Sequence, residues 1–196
     1  MALDHGVLLF VEGETEVVFY ELLIETLKEK GIIKKIKSPF ILKNLKGIGG
    51  FKRVALSFFD NEIKSRYKNT EFCIALAYDT DIFEYDRQPS INWDHIDFYF
   101  RHKGVSEIVH IKQKYMIEDV FLEDYQGILK FLKLPAHSKM PKGNGYEKLQ
   151  LLFNRANKIY YKGYLSRRFL QKLDMYKIYL KRQDVFEPFV RILNDK

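Results

Sequence analysis

The chain holds a single cysteine, Cys73. That excludes an intramolecular disulfide and leaves no thiolate set for a zinc centre. The opening residues lack a basic segment followed by an apolar stretch of signal-peptide length. No apolar run approaches the length needed to cross a bilayer. The expectation is therefore a cytoplasmic protein with no membrane partner. No Ser-His-Asp or Cys-His set reads as an activated nucleophile. The GKS or GKT ending of a P-loop is missing, as is full GxGxxG spacing. There is no internal repeat and no low-complexity segment.

What is present fits one α/β domain with a sizeable core. The chain has 196 residues, 46% hydrophobic and 30% charged, with a net charge of +7. An excess of cations hints at a polyanionic partner without specifying one.

The stretch that organises the rest is Val7–Tyr20, VLLFVEGETEVVFY. Val7, Leu8, Leu9, Phe10 and Val11 form a continuous apolar run, as in a strand buried on both faces of a parallel sheet. Glu12, Gly13, Glu14, Thr15 and Glu16 follow, then helical spacing at Val18, Leu22, Leu23 and Leu27. Thr15 is a fair N-cap. Glu14 and Glu16 can serve simply as helix-start acids. Glu12, last on its strand, gains nothing from capping. Three carboxylates thus stand at the carboxyl end of a buried strand, where open α/β sheets bind ligands.

A shorter strand is expected over Ile36–Leu42, irregular or at an edge because of Pro39. The loop Lys43–Arg53 carries Gly47, Gly49 and Gly50 among Lys43, Lys46, Lys52 and Arg53. It can surround a phosphate with amides and ammonium groups, or be a plain flexible turn. Helical spacing runs over Phe51–Tyr67. The second buried strand, Phe72–Tyr78, also ends in acid, at Asp79 and Asp81. If extension persists, these two project side by side. That pattern is commoner in metal ligands or acid–base groups than in a surface turn. Glu84 and Asp86 read as loop charges. A short helix over Asp94–Lys103 leads to a third strand, Ser106–Lys112, in which His110 reads as a neutral, buried histidine. Glu118 and Asp119 follow; an exposed helix start is the plain alternative for them.

From Tyr125 the character changes to helices rich in Lys, Arg and Tyr, expected over Ile128–Leu134, Tyr146–Tyr161, Ser166–Arg182 and Asp184–Leu193. Asp184 with Glu187 suggests a capping box. Lys139 and Lys142 lie in a basic loop. The division expected is residues 1–124 as an α/β unit and residues 125–196 as a basic helical extension packed on it.

The acids gather where the rest of the chain is basic. Glu12, Asp79, Asp81 and Glu118 would repel a polyanion unless a cation intervened. Carboxylate oxygens suit magnesium or manganese, and such an ion activates water against phosphoryl groups. Lys46, Lys52, Arg53, Lys139, Lys142, Arg167 and Arg168 would hold the flanking phosphates. Glycosidases also pair carboxylates, but the basic rim disfavours that chemistry.

VEGETE at Val11–Glu16 followed by YDTD at Tyr78–Asp81 resembles the TOPRIM domain of topoisomerases, primases and OLD-family nucleases. Glu12 matches its first acid, and Asp79 and Asp81 match its DxD. The VEGxTE form, with Glu16, most resembles the TOPRIM half of OLD-like nucleases and related phage-defence proteins. Ile117-Glu118-Asp119 resembles a further acidic element of those relatives. The resemblance covers Val7–Leu122. It implies a TOPRIM-like, mostly parallel sheet flanked by helices. It implies a magnesium- or manganese-dependent nuclease acting on DNA or RNA, with Glu12, Glu16, Asp79, Asp81, Glu118 and Asp119 as metal ligands. It also implies a catalytic lysine, for which Lys139 and Lys142 are the candidates and Lys142 is preferred. With no P-loop here, the ATPase of OLD proteins would be a separate chain. A homodimer is compatible with this reading. A TOPRIM-like module that binds nucleic acid or an ATPase partner without cutting is the alternative.

Overall fold

The computed structural model describes residues 4–34, 36, 39–80 and 91–194. Strand β1 (Asp4–Val11) runs into helix α1 (Glu14–Glu29), and β2 (Phe40–Asn44) follows. Next, α2 (Gly50–Phe58) widens into a π-helical turn, Phe59–Ile63, and the short α3 (Lys64–Arg66). Then come β3 (Thr70–Asp79), α4 (Trp93–His102), β4 (Glu107–Gln113) and α5 (Ile117–Phe121). The four strands lie in the order β2-β1-β3-β4, and all three pairings are parallel. The chain is thus α/β, a parallel sheet flanked by helices.

The two apolar runs behave as doubly buried strands because period-2 alternation sends neighbours to opposite faces. Val7, Leu9 and Val11 of β1, with Cys73, Ala75 and Ala77 of β3, face one core. Leu8 and Phe10, with Ile74, Leu76 and Tyr78, face the other. Each large side chain removed from water in this way contributes roughly 1.5–3 kcal/mol. On the second face lie α2, the π turn and α4, represented by Phe51, Ala55, Phe59, Ile96 and Phe100. Strand β2 is an edge strand starting just after Pro39, whose carbonyl accepts from Val7 N–H. Proline is tolerated there because an edge needs no second ladder.

The first face is covered by α1 and by the C-terminal helices: α6 (Tyr125–Leu132), α7 (Gly145–Arg155), α8 (Arg167–Leu170), α9 (Met175–Lys181) and α10 (Gln183–Asn194). Phe19 and Tyr20 of α1 pack against Phe186, and Tyr20 meets Phe189. The helical extension therefore shares one continuous core with the sheet. No described helix is long and apolar enough to cross a membrane.

Asp124 ties these layers together. It is almost fully buried and accepts from Gly127 N–H at 3.3 Å, Asp174 N–H at 2.9 Å and the Lys177 ammonium at 2.8 Å. Burial opposes its ionisation, but the hydrogen bonds from Asp174 and Lys177 prevail and hold its carboxyl below the ordinary value. Its contribution is therefore present above the unfolded carboxyl range and lost as pH falls below it. Asp124→Ala should cost about 2–3 kcal/mol, with the midpoint of denaturant unfolding as the measure. A shift in midpoint that is the same at pH 7 and pH 3 would contradict this account.

Two long helices expected in the extension are broken. α7 stops at Arg155, and Asn157 adopts a left-handed conformation (φ 52°). The segment after it is pulled onto the sheet by Gly163 N–H donating to Thr15 Oγ1 at 2.8 Å. The second is cut at Asp174, whose side chain caps α9 by accepting from Lys177 N–H. Nor does Glu187 close a capping box with Asp184. It accepts from the Tyr179 hydroxyl at 2.7 Å. The capping box lies instead at Asn144 and Glu147, which start α7.

Candidate active site

In the order β2-β1-β3-β4, the chain leaves β1 toward one edge and returns to β3 on its other side. The crevice at the carboxyl ends of β1 and β3 is the topological switch point, where such sheets bind ligands. Glu12 follows the last residue of β1 and Asp79 is the last residue of β3. The two are joined directly: Asp79 N–H donates to Glu12 Oε1 at 2.7 Å. Asp79 Oδ2 accepts from Ile117 N–H, the first residue of α5, at 3.2 Å. The cleft here has a volume of about 590 Å³; Glu12, Glu14, Glu16, Asp79, Lys46 and Lys162 are among its lining residues.

Glu16 reaches the cleft from the first turn of α1. Thr15 does not cap that helix; Gly13 takes the N-cap position without a side-chain bond, and Thr15 is buried. Lys46 and Gly47 reach it from the β2–α2 loop, which is tied down by Leu45 N–H to Val11 O and Gly47 N–H to Glu12 O. Gly47 has φ 111°, a backbone that side chains rarely tolerate.

Glu118 lies behind the cleft with its side chain fully buried, rather than on an exposed helix start. Its Oε1 accepts from the Tyr160 hydroxyl at 3.2 Å and pairs with Lys162 Nζ at 3.0 Å. Its Oε2 is buried with no hydrogen-bond partner. Asp119 does not join the cleft lining. It packs against Gly145, where a Cβ would lie 2.6 Å from the Asp119 nitrogen, and its Oδ1 sits 3.7 Å from Lys148 Nζ. Asp81, Glu84 and Asp86 lie outside the described residues.

Electrostatics set this group apart. Burial, and then the charges of Glu16 and Glu12, push the Asp79 carboxyl up to about 9. Burial also raises Glu16, with Glu118 adding to the effect. At neutral pH the cluster therefore keeps a proton. Burial opposes the charge on Lys162, but Glu118, Glu16 and Asp79 together raise its pKa, so it stays an ammonium. Burial raises the Tyr160 hydroxyl, so it remains a donor to Glu118.

Lys162 is the cleft-lining cation that sequence reasoning missed. Lys139 and Lys142 are exposed in the loop before α7 and do not line the cleft. Lys162 falls just after the helix expected over Tyr146–Tyr161, in the short link before Ser166, and is placed by the Gly163–Thr15 hydrogen bond across 148 positions. No local signal marks it.

Of the cations expected to hold phosphates, Lys46, Lys52 and Arg53 line a larger cavity of about 800 Å³, together with Lys43. It shares Asn44 and Lys46 with the acid cleft. The carboxylates Glu12, Glu14, Glu16 and Asp79 line the smaller cleft. Arg167 is paired with Glu21 at 2.6 Å, and Arg168 is exposed.

His110, expected to be neutral and buried, is partly buried beside a carboxylate. Its Nε2 lies 3.0 Å from Asp97 and its Nδ1 3.1 Å from the Tyr78 hydroxyl.

A hard divalent cation fits this site in its donors. They are all oxygen, they outnumber the nearby cations, and one buried carboxylate oxygen of Glu118 has no partner. As they stand, no three acidic, imidazole or thiol side chains among the described residues are disposed to hold an ion. Magnesium tolerates this, because it keeps several waters and binds through one or two carboxylates.

No family model, no curated protein and no solved structure matches the chain. The functional reading therefore rests on the geometry above.

Proposed function

We propose that the protein is a divalent-metal-dependent nuclease that hydrolyses phosphodiester bonds of DNA or RNA. The supporting observation is the cluster of Glu12, Glu16 and Asp79 at the switch point, beside a cavity whose lining includes Lys43, Lys46, Lys52 and Arg53. Acid at the centre and base beside it suit a polyanion bridged by a cation. Glu12, Glu16 and Asp79 would hold magnesium or manganese, which when bound supplies a Lewis acid for the phosphoryl oxygen and an activated water.

The chain's own residues have distinct tasks. Glu12 and Asp79 hold each other in register across the crevice through the Asp79 amide. Lys162 is clamped by Glu118, yet its side chain is 56% exposed, so its remaining N–H bonds can meet a phosphate oxygen. Lys46 stands between cleft and cavity and can contact the phosphate next to the one attacked. A separate ATPase partner and a setting in phage defence are part of this proposal on the resemblance to OLD-like nucleases alone.

The test is cleavage of plasmid DNA and total tRNA by the full chain in magnesium, manganese or excess chelator. Cutting is expected in both metals and not in chelator. Glu12→Gln is expected to reduce it by more than about a hundredfold. Undiminished cutting in chelator would overturn the reading. Binding of nucleic acid with no cutting in either metal would favour the non-cutting module.

A further inference from the structure

The segment between α7 and α8, residues 156–166, separates two hollows. Lys162 and Gly163 line the acid cleft. On the other side is a groove of about 490 Å³ whose lining includes Phe131, Phe153, Ile159, Tyr161, Leu165 and Arg168. Neighbouring residues 161 and 162 thus serve different hollows.

This segment leaves an unusual amount of apolar surface in water. Ile159 is 65% exposed, Tyr161 50%, Tyr164 60% and Leu165 73%. Scattered apolar residues need no explanation, but Ile159, Tyr161 and Leu165 line one groove, with Tyr164 beside Leu165 in the chain, and such a group marks a contact surface. The backbone beneath is firmly held. Gly163 N–H donates to Thr15, Ser166 Oγ donates to Gly163 O at 2.6 Å, and Tyr160 anchors on Glu118. These side chains are displayed from a fixed frame.

Charge narrows the choice of partner. From Lys148 to Leu173 the chain has seven cations and no acid; Lys148, Lys162 and Arg167 are paired with Asp119, Glu118 and Glu21, which leaves Arg155, Lys158, Arg168 and Lys172 as the excess. Flat apolar faces together with many negative charges describe unpaired nucleotides. Single strands bind to such surfaces by stacking bases on aromatic rings while lysine and arginine follow the backbone. A duplex hides its base faces and would leave Tyr161 and Tyr164 unused.

We propose that residues 159–165 form a stacking platform that seats unpaired bases of a single-stranded nucleic acid at the entrance to the acid cleft. The substrate class is then single strands or splayed ends. The platform relies on the nuclease reading only for where the strand leads.

The test uses the full chain in chelator, with fluorescence anisotropy of a short labelled oligothymidylate and of a blunt duplex of equal length. The single strand should bind at least about tenfold tighter. Tyr161→Ala combined with Tyr164→Ala should weaken it by about ten- to a hundredfold. Phenylalanine at both positions should retain binding, because stacking needs the ring and not the hydroxyl. Tyr164→Ala alone, at a residue 60% exposed, provides a variant with unchanged folding and a smaller loss.

Equal or tighter duplex binding would overturn the platform, as would unchanged binding by the double variant. A wild-type dimer that becomes monomeric in the double variant, with oligonucleotide binding intact, would assign the surface to a second copy of this chain instead. Metal is absent throughout, so the two proposals can fail separately. A strand bound through Tyr161 and Tyr164 but never cut in manganese would remove the nuclease and leave the platform.

Discussion

Lys162→Met is expected to destabilise the metal-free protein by about 3 kcal/mol, which in a chain of this size is a fall in Tm of roughly 6–12 °C. The reason is Glu118. Its carboxylate is fully buried, and it is met by the Tyr160 hydroxyl and the Lys162 ammonium. Removing the ammonium leaves a buried carboxylate with the Tyr160 hydroxyl and no counter-charge, and losses of one member of a buried pair run to about 3–5 kcal/mol. The lower end applies because the lysine side chain is 56% exposed and water already shares in its solvation. Glu118→Gln added to Lys162→Met should restore most of the loss, because a neutral amide needs no counter-ion. Cleavage should fall in the single variant and stay low in the double, which separates the stability role of the pair from any contact with substrate. Thermal melts of the three proteins in chelator decide the matter; a single variant that melts like wild type would show that Glu118 has other compensation.

That pair also marks where sequence reading ran out. Two continuous apolar runs ending in acid were enough to place β1, β3 and the crevice between their carboxyl ends, because doubly buried strands need no partner to be recognised. Pro39 pointed to an irregular or edge strand over Ile36–Leu42, and β2 lies at the edge, over Phe40–Asn44. The lysine was a different matter. The loop around Lys142 drew attention through its glycines and cations, yet those glycines have structural tasks. Gly143 has φ 115° ahead of the Asn144–Glu147 capping box, and Gly145 lets α7 approach Asp119. Lys162 sits in the link between two expected helices, and the long-range bond from Gly163 to Thr15 holds that link beside the carboxylates. Likewise nothing local shows that Glu118 turns inward while its neighbour Asp119 turns to Lys148. Positions fixed by tertiary hydrogen bonds leave no trace in periodicity.

Asp79→Asn should do the reverse of Lys162→Met and stabilise the metal-free protein at alkaline pH. In the folded chain the Asp79 carboxyl is pushed up to about 9 by burial and by Glu16 and Glu12, whereas in the unfolded chain it ionises near 4. Between those values the folded state holds a proton that the unfolded state has released, so this group's contribution to stability declines as pH rises from about 4 to about 9. Asparagine removes the titration and can still accept from Ile117 N–H. The variant should match wild type near pH 4 and exceed it at pH 8 by on the order of 2 kcal/mol, since Asp79 is only half-buried and water takes part of the cost. Metal acts in the opposite sense. An ion that binds the folded cluster must displace the retained proton, so its affinity should climb by up to about tenfold per pH unit while one proton is released. At a hundred times its dissociation constant it should stabilise wild type by about 2.7 kcal/mol, and Asp79→Asn should lose most of that rise. A variant that melts well below wild type in chelator at pH 8, yet keeps the full manganese-induced rise, would make Asp79 a structural acceptor for α5 and would move any ion elsewhere in the cleft.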